Sequence, residues 1–219
     1  MNSRRVTLTF DNGPDAAVTP MVLDLLARYG VRATFFVLGS KASTAEGAAL
    51  VARARAEGHW IGNHTYSHRT PLGLLPPDEA VRELNSTEQA IVAAGETRRI
   101  FRPYGGGGRI GKHLLQRSVV DLLIVRRYTC VLWNCVPGDW RDPEGWLERA
   151  LLDIETRDWS LVVLHDIASG AMRHLERFLE ELTSRGYQMR QEFPPECTPI
   201  VDGRILRPID DLVSDGLTA

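Results

Sequence analysis

Short runs of β-branched and aromatic residues alternate along this chain with longer stretches whose apolar positions recur every three to four residues. The first pattern has the period of strands, the second that of amphipathic helices. Residues 6–10, Val-Thr-Leu-Thr-Phe, predict a strand. Val22, Leu25, Leu26 and Tyr29 share one helical face, so residues 18–29 predict a helix, which Gly30 stops. By the same reading, strands are expected over 33–38, 60–63, 100–102, 128–134, 161–165 and 187–190. Helices are expected over 46–57, 79–94, 112–126, 144–156 and 172–185. Pro76, Pro77 and Pro143 precede helices, while Gly58, Gly95 and Gly186 follow them. Residues 161–165 are apolar up to the final histidine, as in a strand buried on both faces. Near the C terminus, Asp202-Gly203 sits inside residues 199–206 as the turn of a hairpin.

About seven strand–helix units result. Such alternation predicts an α/β fold of parallel strands wrapped by helices. A (β/α) barrel and a doubly wound open sheet both produce this string, and both place ligands at the C-terminal ends of their strands. The length of 219 residues suits one domain or at most two, and no repeat or low-complexity linker divides it.

Composition narrows the function classes. A net charge of −2, from 26 basic and 28 acidic residues, leaves no electrostatic footprint for nucleic acid. No stretch approaches the ~20 apolar residues of a membrane helix, so no membrane partner is expected. The opening Met1-Asn2-Ser3-Arg4-Arg5 is too short and polar for a secretory signal, and a cytoplasmic location is the expectation. Cys130 and Cys135 lie five apart on a predicted strand, ~16 Å from each other and beyond disulfide reach. With Cys197 alone in the tail, three reduced thiols are expected.

Five predicted strands end in groups able to titrate or ligate. Asp11-Asn12-Gly13-Pro14 follows the first, and Asn63-His64-Thr65-Tyr66-Ser67-His68 the third. Arg102-Pro103-Tyr104-Gly105 follows the fourth, Gly138-Asp139-Trp140 the fifth and His165-Asp166 the sixth. His64 and His68, four apart, fall on one side of a helical turn, within reach of a single cation. Taken alone, that spacing is better explained by two surface histidines. Asp11 alone would pass for a turn residue, Arg102 for an ion pair, Asp139 and Trp140 for a loop aspartate and a core aromatic, and His165 for a core histidine. Their joint placement at strand ends favours a site. Neutral imidazoles suit zinc, cobalt, nickel or iron better than magnesium. A carboxylate beside such a metal is placed to take a proton from water. Residues 106–113 nearly fit a phosphate loop, but His113 stands where the hydroxyl belongs, and a mobile glycine-rich loop is the better reading.

These segments resemble the five motifs of the polysaccharide deacetylase family, the NodB-homology domains of carbohydrate esterase family 4. Thr9-Phe10-Asp11-Asn12-Gly13-Pro14 resembles its first motif, T-F-D-D-G-P, and His64-Thr65-Tyr66-Ser67-His68 matches the second, H-[ST]-x-[ST]-H. Arg102-Pro103-Tyr104-Gly105 is a shortened third motif, Asp139-Trp140 the fourth, and Val162-Val163-Leu164-His165 the fifth. The resemblance covers about residues 6–190. It implies a single domain over 1–219, a distorted (β/α)7 barrel with a short hairpin-like tail. It implies Asp11 as general base, held by Arg102, and His165 as general acid, tuned by Asp139. It implies a divalent metal, zinc first with cobalt or nickel as alternatives, at Asn12, His64 and His68. Tyr104 would offer its backbone N–H to an oxyanion, and Trp140 and Leu164 would shape the pocket for the acetyl methyl.

One position departs from the pattern. Asn12 stands where the family carries a metal-binding aspartate, so a dipole replaces a charge and metal affinity is expected to fall. The expected function is metal-dependent removal of N-acetyl groups from an amino sugar or oligosaccharide of chitooligosaccharide or peptidoglycan type. The alternatives are hydrolysis of a small or cyclic amide, or sugar binding without turnover on account of Asn12.

Overall fold

The computed structural model describes residues 4–214. Its centre is a parallel sheet in the order β6-β1-β2-β3-β4-β5. The strands are β1 (Arg5–Asp11), β2 (Thr34–Val37), β3 (Trp60–Asn63), β4 (Ile100–Phe101), β5 (Thr129–Cys130) and β6 (Trp159–His165). Residues 131–135 leave β5 and reach β6, where Cys135 bridges Val162 and closes the ring. Two strands of only two residues and a one-bridge closure make this a distorted barrel. β7 (Gln188–Arg190) pairs with the first half of β1, through Arg5, Val6 and Thr7, below the point where β2 takes over at Thr9.

The helices α1 (Thr19–Arg28), α3 (Ala45–Ala56), α4 (Pro77–Ala93), α5 (Arg117–Val125), α6 (Trp146–Ile154) and α7 (Leu175–Ser184) wrap the sheet, with a single turn, α2 (Gly39–Ala42), after β2. Local chemistry explains most boundaries. Thr44 caps α3 by accepting the Gly47 N–H, a bond that satisfies an otherwise orphaned donor. Pro20 sits in the first turn of α1, and Gly30, at φ 64°, follows its end. The helix expected over 112–126 begins only at Arg117. Leu115 is instead held by the C-terminal segment, with its N–H on the Leu212 carbonyl and the Ser214 N–H on its own carbonyl. The strand expected over 128–134 keeps two residues, because Leu132 turns away to bond the Cys197 carbonyl.

Strand alternation splits the interior into two clusters. Val6, Leu8, Phe10, Phe35, Val162 and Leu164 face α1, α3, α6 and α7. Phe36, Phe101, Leu161 and Val163 face the second cluster, together with residues of α4 and α5. The tail belongs to that second cluster: Cys197, Ile200, Ile209, Leu212 and Val213 are all buried in it. The packed core therefore runs well past residue 190, where the family resemblance stops. The expected hairpin is present as β8 (Ile200–Val201) and β9 (Arg204–Ile205), with β8 antiparallel to β5. Asp202 and Gly203 both take positive φ, 50° and 73°, as this tight turn requires. The three cysteines are free and buried. No helix among the described residues is long and apolar enough to cross a membrane.

Candidate active site

Strand register assembles the site. Asp11, the last residue of β1, lies opposite His165, the last of β6. Asn63 ends β3 opposite Val37 and Phe101, so His64 and Arg102 leave adjacent strand ends at one level. A cleft of about 240 Å³ opens there, lined among others by Asp11, Asn12, His64, His68, Tyr104, Trp140 and His165.

Arg102 is fully buried, with a partner on each of its guanidinium nitrogens. Its Nη1 donates to Asp11 Oδ1 at 2.8 Å and to Thr9 Oγ1 at 2.7 Å. Nη2 donates to the Leu132 carbonyl at 3.2 Å, and the guanidinium lies over the Phe36 ring at 4.0 Å. Burial works against an ionised Asp11, but Arg102, by charge and hydrogen bond, together with His64 and His165, holds the carboxyl below the usual aspartate range. Thr9 passes the support on, its hydroxyl donating to the Val162 carbonyl at 2.8 Å.

His64 donates from Nδ1 to the Arg102 carbonyl at 2.8 Å, which leaves Nε2 with its lone pair, 3.5 Å from Asp11 Oδ2. Burial lowers the pKa of His64, and that of His68 falls to about 3 through burial and the nearby His64. Both imidazoles are therefore neutral, the state in which they ligate metals. The two rings lie 4.9 Å apart, and His68 packs on Tyr104 at 3.8 Å. Asn12, at φ 71°, lines the same cleft, and its Oδ1 is buried with no hydrogen-bond partner. Among the described residues no three His, Cys, Asp or Glu side chains form a metal cluster. A site built on His64 and His68 would have to draw a further oxygen from the amide of Asn12.

Across the cleft, Asp139 holds His165 twice. Its Oδ1 pairs with Nδ1 at 2.8 Å, and its Oδ2 accepts the His165 backbone N–H at 2.9 Å. Burial opposes the imidazolium, yet the bond and charge of Asp139 prevail and the pKa of His165 is raised. Trp140 meets the His165 ring edge-on at 4.6 Å.

The structure thus brings together Asp11, Asn12, His64, His68, Arg102, Tyr104, Asp139, Trp140 and His165. Leu164 is the exception. It is fully buried in the cluster facing the helices, and Val163 lines the cleft instead. Side chains alternate along a strand, so Val163 shares a face with His165 and Leu164 cannot. That period-2 rule was available from the sequence. No sequence signal marked Trp133 or Val136, which also line the cleft beside Gly105, Gly106, Gly107 and Gly108. This glycine run opens no helix, since α5 starts only at Arg117, which removes the phosphate-loop reading.

The polysaccharide deacetylase family model matches residues 1–117. A peptidoglycan-N-acetylmuramic acid deacetylase of Bacillus subtilis is 31% identical over 193 residues, covering 86% of this chain and 38% of that protein. A chitooligosaccharide deacetylase of a Bradyrhizobium species is 33% identical over 193 residues, covering 86% and 81%. A CE4 family pseudoenzyme from Bacillus anthracis superposes with a TM-score of 0.72 at 25% identity, covering 86% of this chain and 63% of that one. The chain belongs to the polysaccharide deacetylase family, and it spans little more than a third of the length of the Bacillus subtilis relative.

Proposed function

We propose that this protein is a divalent-metal-dependent hydrolase that removes the N-acetyl group from an amino sugar within an oligosaccharide or glycan. The observation that carries the reading is the pair of opposed, separately supported proton carriers in one cleft: Asp11 on Arg102, and His165 on Asp139. Amide hydrolysis needs a base for the attacking water and an acid for the leaving amine. His64 Nε2, His68 and Asn12 Oδ1 would hold the cation. Zinc is the first choice for two neutral imidazoles, with cobalt or nickel as alternatives. The cation would polarise the acetyl carbonyl and acidify a water.

Asp11, kept ionised by Arg102, takes the proton of the attacking water. Its second oxygen stands 3.5 Å from His64 Nε2, the atom that would ligate the cation. The Tyr104 backbone N–H is assigned to the developing oxyanion. His165 donates its proton to the nitrogen as the C–N bond breaks, and Asp139 stabilises the charged imidazole until then. Trp140 and Val163 exclude water around the acetyl methyl.

The relatives named above support a glycan substrate, since one is a peptidoglycan deacetylase and another a chitooligosaccharide deacetylase. Asn12 favours a second reading, a glycan-binding protein with impaired turnover, and a pseudoenzyme of the same fold exists. Acetate release decides between them, measured on N-acetylglucosamine oligomers and peptidoglycan fragments with added zinc or cobalt. Release from these glycans is the expected result. Binding without release establishes the second reading, and release from small amides alone overturns both.

A further inference from the structure

We propose that Glu83 is a positioning residue whose carboxylate clamps the loop of residues 64–68 and so sets His64 and His68 for a cation. The proposal rests on the metal-binding reading of that loop. The loop is tied on its carbonyl side to α2, whose Gly39 and Ser40 N–H groups donate to the Thr65 and Tyr66 carbonyls at 3.0 and 3.1 Å, and on its N–H side to α4, through two neighbouring residues. Glu83 Oε2 accepts the N–H groups of both Tyr66 and Ser67, each at 2.8 Å. Next to it, the Leu84 carbonyl accepts the Asn63 side-chain amide at 2.8 Å, while Asn63 Oδ1 accepts the Thr65 N–H at 3.0 Å.

The loop needs such ties. Thr65 and His68 both hold positive φ, 68° and 53°, without being glycine. Such backbone persists only where its surroundings enforce it. Released, the loop would relax toward ordinary φ and turn the His68 ring away from His64. A carboxylate on two backbone N–H groups forms charge-assisted bonds, roughly twice as strong as neutral ones. Glu83 lies outside the cleft, so its effect passes through the backbone of Tyr66 and Ser67.

The test compares Glu83→Gln and Glu83→Ala in the full chain with two readouts. The first is amide hydrogen exchange at Tyr66 and Ser67 in metal-free protein. The second is the zinc and cobalt dissociation constant, from chelator competition. Expected for Glu83→Ala is faster exchange at both amides and an affinity loss of about 10–100-fold, the usual effect of removing an outer support of a metal ligand. Glu83→Gln keeps an oxygen acceptor without the charge, so a smaller loss in the same direction is expected. It also decides the matter if the alanine variant does not fold. Exchange and dissociation constants within twofold of the unsubstituted protein would overturn the proposal, even if thermal stability drops. Faster exchange with unchanged metal affinity overturns it as well, because the clamp would then not position the histidines. A parent protein that binds neither cation fails the metal reading itself, a result seen before any variant is made.

Discussion

Two aspartates at this site have opposite surroundings and opposite jobs. Asp11 is buried against a guanidinium and stays ionised, while Asp139 spends both oxygens on His165. Turnover should therefore follow a bell in pH. The acidic limb falls below the ordinary aspartate range, where Asp11 takes up its proton. The alkaline limb lies above the ordinary histidine value, where His165 loses its own. Removing the negative charge beside an imidazolium lowers its pKa, so Asp139→Asn should move the alkaline limb to lower pH. His165→Ala should abolish that limb and cut turnover by about 10²–10⁴-fold. An alkaline limb unchanged in His165→Ala would make His165 a structural histidine; pH–rate profiles of the three proteins supply the check. Asn12 carries the other residue-scale expectation. Asp also tolerates positive φ, so Asn12→Asp can seat a charged oxygen on the same backbone. Zinc affinity should rise by about 10–100-fold, and equal dissociation constants in competition titrations would count against Asn12 as a ligand.

At the scale of elements, the β1–α1 connection packs tightly against the end of β6. Asp166 follows His165, accepts the Thr19 hydroxyl at 2.6 Å, and leaves its other oxygen buried without a partner. Gly13 lies so close that a Cβ there would fall 2.2 Å from the Asp166 carboxylate. Burial raises the pKa of Asp166 to about 7. The folded state thus holds a proton that the unfolded chain releases near pH 4. Stability tied to this group is full below that value and declines as pH rises to about 7, by about 4 kcal/mol at most. Asp166→Asn keeps an acceptor for Thr19 and has no proton to lose. Urea unfolding at pH 5 and pH 8 should show a smaller decline for Asp166→Asn than for the parent. Parallel declines would show that Asp166 does not titrate in this range.

The whole molecule depends on its tail. Cys197, Ile200, Ile209, Leu212 and Val213 complete the cluster beside α4 and α5, and β8 covers the edge of β5. Burying one large apolar side chain is worth about 1.5–3 kcal/mol. Losing these five would remove as much as the ~5–15 kcal/mol of net stability a domain has. A chain ending at residue 190 should lose cooperative urea unfolding and expose apolar surface to a dye such as ANS. A sharp two-state transition in that truncated chain would show the tail to be dispensable.

Much of this was legible in the residues themselves. Hydrophobic period predicted the order of strands and helices, the Asp-Gly turn predicted the hairpin, and five motifs in phase with strand ends predicted which side chains meet. These features are local: each follows from a few neighbouring residues and the two backbone periods. Other features arise from pairings between distant segments. The Leu115–Val213 bridge shortened α5, the Cys135–Val162 bridge closed the ring, and the second cluster drew in the tail. Glu83 and Thr9 gained their roles only when α4 and β6 came alongside residues far from them in sequence. Hydrogen-bond partners 16 or 153 positions apart carry no local signature, and the contest of burial with neighbouring charge, which lowers Asp11 and His68 and raises His165 and Asp166, exists only once the chain has packed.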